Sequence, residues 1–533
     1  MVPRVISLRR LTVVFELWVA LVTAFPTPVS IRTNTTAHLI FGHTFVPATI
    51  PIGTLLHHSR MNHDPPPSPE FFAFDLEHAN VFCFYAPCLM FNYAVSHDLQ
   101  VGYFDGTSAA TLPGARDFQD ILFNGKFIPD QEYNPWTHAV NMCRWANKVG
   151  LDGIVRMEPS FEVILCNIES DLTLVSKLEL VYPESIYFPG TPLPKNASSS
   201  ISQRVSHPRR QAKQPYFPPP TMPVYPPPPG WRGKQLSHLE ISYESIRAGM
   251  WHNGLPGENR VILDYSRIVS AYDDTYTSLV TARDGVPRSK HRMGSISSSD
   301  WQRIQAEVHE VLVRDPSPAK INWQLLFQAL MDRYSGRLED LRYILRRSDL
   351  DPVEVVANAR HKVLIALSPY MVLPRAKSDS VPELSRLRNP SEQSNFDDKH
   401  SRSGPDGDWF DHIYEGCATY ATAGISQKSS LNVQEQRLFS SIARVQSAIC
   451  ASLVHIWTEA FDSEEKPVFA RKMIATWRAE VEQLMEWLDW HTWVKCDPPC
   501  GPGTQCVLAS WPWEISSGEE DIGPTCRDSL ISY

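Results

Sequence analysis

The stretch RLFSSIARVQSAICASLVHI, Arg437–Ile456, places Leu438, Ile442, Val445, Ile449, Leu453 and Ile456 along one stripe at helical spacing. A stripe of that width is the packing face of a helix in a bundle. The stretch that follows repeats it with Phe469, Met473, Trp477, Val481, Leu484 and Leu488. Upstream, capping signals mark further helices. Ser299 and Gln302 form a capping-box pattern ahead of Trp301, Ile304, Val308 and Val311. Asn322 caps a helix that Gly336 is expected to end, and Asp351, Pro352 and Glu354 supply a cap, an N1 proline and an N3 acid. Residues 236–495 are therefore predicted to form a mainly helical domain, interrupted by a polar loop at 376–410.

Toward the N-terminus the period changes. Glu70–Asp75, Leu99–Asp105, Phe161–Cys166 and Leu172–Val181 read as strands. Trp136–Val149 reads as a helix with Trp136, Val140, Cys143 and Ala146 on one face and Gly150 closing it. Residues 36–189 are expected to be an α+β domain. Residues 190–235, with Pro218–Pro220 and Pro226–Pro229, lose all periodicity and read as a Pro-rich disordered linker. Arg209-Arg210 within it offers a dibasic processing site, or simply two solvated charges. The fold class is an α+β N-terminal domain followed by an all-α helical domain with a disulfide-rich C-terminal tail.

The two ends of the chain indicate its compartment. Arg4, Arg9 and Arg10 precede an apolar run, Leu11–Phe25, with Val22 and Ala24 as small residues before a cleavage point. Residues 1–24 are read as a signal peptide, with an uncleaved N-terminal anchor as the alternative. No membrane span is expected after cleavage. The sequons at Asn34 and Asn196 suit glycosylation on a secretory route. The tail, 496–533, holds four of the ten cysteines as Cys496-x3-Cys500-x5-Cys506-x19-Cys526 among prolines and tryptophans. Such a segment cannot bury a core of its own, and an oxidising compartment turns its cysteines into disulfides. Three pairings are open, of which Cys496–Cys506 with Cys500–Cys526 closes modest loops. Zinc is the competing reading, but no CxxC pair is present and no metal site is assigned. Cys83 and Cys88 could bridge locally and Cys143 could meet Cys166, with buried thiols as the alternative for these and for Cys417 and Cys450.

Composition bounds the rest. A 533-residue chain with 43% hydrophobic residues has material for more than one core, and its net charge of −9 argues against nucleic-acid binding. The basic run Arg288–Arg292 is too short to alter that.

The blocks FDLEHANVFC (Phe74–Cys83), GYFDGTSAA (Gly102–Ala110), CRWANKVGLDGIVRMEPSFEVILC (Cys143–Cys166), INWQLLFQALMDRYSGRLEDL (Ile321–Leu341) and WLDWHTWVKCDPPCGPGTQC (Trp487–Cys506) resemble a large family of uncharacterised secretory-pathway proteins from filamentous fungi. The resemblance implies the route and no activity. At Gly416–Thr422 this chain departs from it, lacking a histidine near Ala421.

Candidate chemistry lies in the N-terminal part. GTLLHHSR, Gly53–Arg60, followed by PEFFAFDLEHANVF, Pro69–Phe82, weakly resembles the opening motifs of ADP-ribosyltransferase folds. There a His or Arg holds the NAD ribose and a later glutamate stabilises the cationic sugar. The resemblance gives His58 the first role and Glu158 or Glu162 the second, although Ser59 stands where glycine is usual. The alternative makes His57 and His58 a half-buried strand end. The cluster Asp105, Asp152, Arg156, Glu158 and Glu162 could instead supply the paired carboxylates of glycoside hydrolysis, against an alternative in which Arg156 and Glu158, alternating on one strand face, satisfy each other as an ion pair. Trp487, Trp490, Trp493, Trp511 and Trp513 are either a sugar-stacking platform or buried packing, and burial is favoured. The reading is a secreted, disulfide-stabilised glycoprotein acting as a structural or interaction protein. The alternatives are an enzyme acting through the N-terminal domain and a carbohydrate-binding surface on the tail tryptophans. No cofactor is assigned, and partners are unknown.

Overall fold

A computed structural model describes residues 42–83, 87–109, 114–129, 134–157, 161–180, 244–245, 248, 260–286, 290–315, 321–371, 408–425, 431–462, 467–493, 495–496, 498–501, 504–508 and 524–528. Asn34, Asn196, Glu158, Trp511, Trp513 and the segments read as signal peptide and linker lie outside them. The described residues form two compact units. One holds Gly42, 47–263 and 496–528; the other holds 43–46 and 264–495. The coarse class read from the sequence holds: sheet-rich first, helical later, with disulfides near the C-terminus.

The sheet unit contains β1 (Thr44–Ile50, with its first residues in the other unit), β2 (Leu55–Arg60), β3 (Glu70–Ala73), helix α1 (Leu76–Asn80), β4 (Cys88–Val95) and β5 (Leu99–Phe104). Helices α2 (Asp117–Asn124) and α3 (Pro135–Lys148) follow, then β6 (Gly153–Met157), β7 (Phe161–Leu165), α4 (Ile168–Asp171), β8 (Leu172–Leu180) and β9 (Ile262–Leu263). The strands run in the order β1-β5-β6-β7-β3-β2-β4-β8, and β9 pairs with β1. Only a crossover can join parallel neighbours, and α2 and α3 provide it between β5 and β6.

Period-2 alternation gives the sheet two faces. Arg156 on β6 faces Glu162 on β7, Glu162 faces Ala73 on β3, and Ala73 faces His57 on β2, so these four share one face. Helices α2 and α3 pack over this face near β6, and α1 packs over β2 and β3. The opposite face carries Tyr103, Val155, Val163, Phe72, Leu56 and Phe91, all buried. Phe72 meets Tyr93 edge-on at 5.7 Å, a favoured aromatic geometry.

Two local details differ from expectation. Helix α3 buries His138, Ala139, Met142, Cys143 and Ala146 and exposes Trp136 and Val140. Its inward face is thus rotated, because the polar His138 finds partners inside. Gly153, in mid-sheet, sits where an added Cβ would lie 2.4 Å from the Ile164 carbonyl oxygen, so only glycine fits.

The helical unit contains β10 (Val269–Ser270), which pairs with Phe45 and Thr44. It also contains α5 (Thr277–Arg283), α6 (Ser298–Val313), α7 (Trp323–Arg346), α8 (Pro352–Leu367), α9 (Asp408–Thr419), α10 (Val433–Asp462) and α11 (Pro467–Leu488). Helix α10 packs on α8, α9 and α11. Leu438, Ile442, Ile449, Leu453 and Ile456 are buried as the stripe predicts, but fully buried Gln446 lies beside half-buried Val445. Gln446 gains that place by bonding the Cys417 carbonyl and the Ala421 N–H. Val433–Ala460 is long and apolar enough to cross a membrane, yet half of its most apolar window is buried inside this unit. Phe469, expected on the inner stripe of α11, is 50% exposed, and Ala470 is buried instead. Gly336 does not end its helix, since α7 runs through it to Arg346. The cap of α6 is Ser297, whose hydroxyl accepts from the Asp300 N–H, two residues ahead of the expected capping box. Asn322 and Asp351 cap as read.

All ten cysteines are paired: Cys83–Cys88, Cys143–Cys166, Cys417–Cys450, Cys496–Cys506 and Cys500–Cys526. Cys143–Cys166 ties α3 to the residue after β7, and Cys417–Cys450 ties α9 to α10. In the tail, β11 (Thr504–Leu508) and β12 (Pro524–Asp528) form a hairpin with Cys506 opposite Cys526, each sulfur bonded outside it. Each bridge contributes roughly 2–4 kcal/mol by restricting the unfolded chain.

Candidate functional site

Strand β2, LLHHSR, puts two adjacent histidines on opposite faces of the sheet. On the helix-covered face, His57 Nδ1 lies 2.7 Å from Asn92 Oδ1, and Asn92 Nδ2 donates to Ser176 Oγ at 2.8 Å. Because the Asn92 oxygen only accepts, Nδ1 of His57 carries the proton. Burial holds His57 below its ordinary value, against the Asn92 hydrogen bond and the Asp75 charge, while Arg260 acts with burial. Arg260 Nη1 itself donates to the Phe74 carbonyl at 2.6 Å and to Asp75 Oδ1 at 3.1 Å.

His58 sits on the other, aromatic face. Its Nδ1 donates to the Phe71 carbonyl at 2.7 Å, which leaves the Nε2 lone pair 3.9 Å from Glu70 Oε2. Glu70 is a strand residue of the same parity as Phe72, so it enters the apolar face as an isolated acid. Burial pushes its carboxyl up to about 7, although the Phe71 N–H donates to Oε1 at 3.0 Å and Arg60 lies near. Burial holds His58 down at about 4. Near neutral pH the pair is thus a neutral imidazole acceptor facing a carboxyl that is partly protonated. The arrangement can pass a proton and is not an ion pair.

Glu162 does not join it. Across β7, Glu162 shares the row of His57, and its carboxylate receives Arg156 Nε at 2.9 Å and Arg156 Nη2. Arg156 Nη1 donates to Gln119 Oε1 at 3.3 Å; that oxygen lies 3.2 Å from His138 Nε2, and His138 Nδ1 lies 3.3 Å from Asp120 Oδ1. All five residues are buried. Strand parity puts His58 and Glu162 on opposite faces of the sheet. Glu158, the other candidate, lies outside the described residues. Arg156 pairs with Glu162 across the sheet, whereas the ion pair expected from the sequence is with Glu158. Asp152 accepts from the Gln100 N–H at 2.7 Å and belongs to a different cluster.

Of the tryptophans grouped above, Trp487, Trp490 and Trp493 are described and half-buried; Trp490 and Trp493 meet tilted at 5.1 Å, and Trp493 Nε1 donates to the Ser335 carbonyl at 3.3 Å. Cys496, Cys500 and Cys506 cluster closely enough to hold a metal, but all three are in disulfides and offer no thiolate.

Glu70 is the residue that the sequence reading passed over. The signal was present: a glutamate opening EFFAF in register with two core phenylalanines, where a charge has no place unless it is neutralised.

Comparison with known proteins supports a relationship to an uncharacterised fungal family. A family described as the YPL277C N-terminal domain matches residues 86–208, from before β4 to beyond β8. The chain is 28% identical over 295 residues to the uncharacterized protein YPL277C of Saccharomyces cerevisiae, covering 50% of this chain and 55% of that one. It is 24% identical over 452 residues to the uncharacterized protein YOR389W of the same yeast, covering 79% of this chain and 64% of that one. The chain therefore spans little more than half to under two thirds of the length of these relatives. No solved structure matches.

Proposed function

We propose that this chain is a secretory-pathway glycoprotein whose two units are stapled by disulfides and whose work is binding a partner. The observation that carries this reading is the complete pairing of its ten cysteines in five bridges, spread over both units and the tail. A reducing cytosol does not maintain such a set. The charged start and apolar run of residues 1–24 and the sequons at Asn34 and Asn196 agree with it. His58 and Glu162 project from opposite faces of the sheet, which favours a binding role over the His58–Glu162 form of the transferase reading.

The test is expression of the full chain in a eukaryotic host. Recovery from the medium with a glycosidase-sensitive mass, lost in Asn34→Gln/Asn196→Gln, supports the proposal. Recovery only in the cytosol, unglycosylated and with reactive thiols, overturns it.

A second reading, an enzyme using His58 and Glu70, is favoured by one observation: Glu70 is held near neutrality inside an apolar face. Hydrolysis of NAD or of a glycoside by the purified chain, lost in both Glu70→Gln and His58→Ala, would support it. Absence of both activities rejects it.

A further inference from the structure

Three segments of the sheet unit meet away from His58: the turn between β4 and β5, the residue before β6, and the end of α4. They bring together His97, Asp152 and Asp171, with one potential ligand atom of each within 4.8 Å of the others. Backbone bonds fix all three segments. The Ser96 N–H donates to the Asp171 carbonyl at 2.9 Å, Gln100 and Asp152 exchange bonds of 2.8 Å and 2.7 Å, and the Cys166 N–H donates to the Asp152 carbonyl at 3.0 Å.

The charges of this cluster are unbalanced. Asp171 is 4% exposed, yet its one side-chain partner is the Ser170 hydroxyl, which donates to Oδ1 at 2.6 Å. Asp152 uses Oδ2 for the Gln100 N–H. Among the described residues no lysine or arginine forms an ion pair with either carboxylate. Two carboxylates that face each other, one of them buried, need a cation or a proton.

We propose that His97, Asp152 and Asp171 form a binding site for one divalent transition cation. One imidazole nitrogen and two carboxylate oxygens suit Zn²⁺ or Mn²⁺, and the nitrogen donor disfavours Ca²⁺ and Mg²⁺. Bonds of about 2.1 Å set donors roughly 3.0–3.4 Å apart, and the exposed His97 side chain on its turn closes the remaining gap. The cation would clamp the β4–β5 turn to the starts of β6 and β8, with its other positions taken by water or a ligand.

The experiment is calorimetric titration of the chelator-stripped full chain with Zn²⁺, paired with thermal unfolding. The wild type is expected to bind with a stoichiometry of one at this site and to melt higher when loaded. Asp152→Asn should lose that binding, and His97→Ala, a surface change, should weaken it at least tenfold. Asp171 is buried, so Asp171→Asn is read only if its metal-free melting matches the wild type. Two results overturn the proposal: no Zn²⁺ equivalent that both Asp152→Asn and His97→Ala affect, or Ca²⁺ binding as tight as Zn²⁺ and indifferent to His97→Ala.

Discussion

Glu70 Oε2 lies 3.9 Å from His58 Nε2 on the aromatic face of the sheet, and burial disfavours the charged form of both groups. Their effects on stability run in opposite directions with pH. The Glu70 value is raised on folding from 4.5 to about 7, so its contribution is full below about 4.5 and is lost as pH rises through about 7. The His58 value is lowered to about 4, so its contribution is full above 6.5 and is lost as pH falls toward 4. Glu70→Gln should therefore stabilise the protein above pH 7, by up to about 3 kcal/mol, and differ little from wild type below 4.5. Urea unfolding of the two proteins from pH 4 to 9 checks this; parallel curves would contradict it.

The Arg156–Glu162 pair should be costly to break and cheap to replace. Glu162→Ala leaves a buried guanidinium without its carboxylate and is expected to cost about 3–5 kcal/mol. Arg156→Met with Glu162→Leu should recover most of that. A double variant no more stable than the single one in urea would show that the pair is not the source of the loss.

Two glycines separate backbone conformation from crowding. Gly150 holds φ at 76° with nothing within 4 Å of an added Cβ, so Gly150→Ala should cost about 1 kcal/mol. At Gly153 the added methyl meets the Ile164 backbone, and Gly153→Ala should cost about 1–3 kcal/mol. Thermal unfolding that ranks Gly150→Ala as the more damaging would contradict this register of β6 on β7.

In the helical unit, His455 Nδ1 lies 2.8 Å from Glu480 Oε2, linking α10 to α11. Burial opposes the imidazolium, but the Glu480 hydrogen bond and the charges of Glu480 and Glu459 outweigh it and raise the His455 value above 6.5. The stabilisation is full below 6.5 and is lost as pH rises through the folded value. His455→Gln should remove this pH dependence, measured as melting temperature between pH 5 and 9.

Much of this fold could be read in advance because alternation and helical stripes are local. The strands beginning at Glu70, Leu99, Phe161 and Leu172 begin as read, and the caps Asn322 and Asp351 function as read. What escaped depends on partners far along the chain. Gln446 is inside because a carbonyl 29 residues away accepts its amide. The face of α3 turns on His138 meeting Asp120 and Gln119. Likewise, His58 and Glu162 both looked chemical in the sequence, but only the register His57–Ala73–Glu162 reveals that they project from opposite faces.

Stabilisation by covalent sulfur, acquired in an oxidising lumen, is the claim on which the functional reading stands. Peptide mapping of the secreted full chain, alkylated without reduction, tests it most directly. The account predicts no alkylated cysteine and cross-links that account for five bridges, including Cys417–Cys450, Cys496–Cys506 and Cys500–Cys526. Quantitative alkylation of the tail cysteines in correctly folded protein would contradict it.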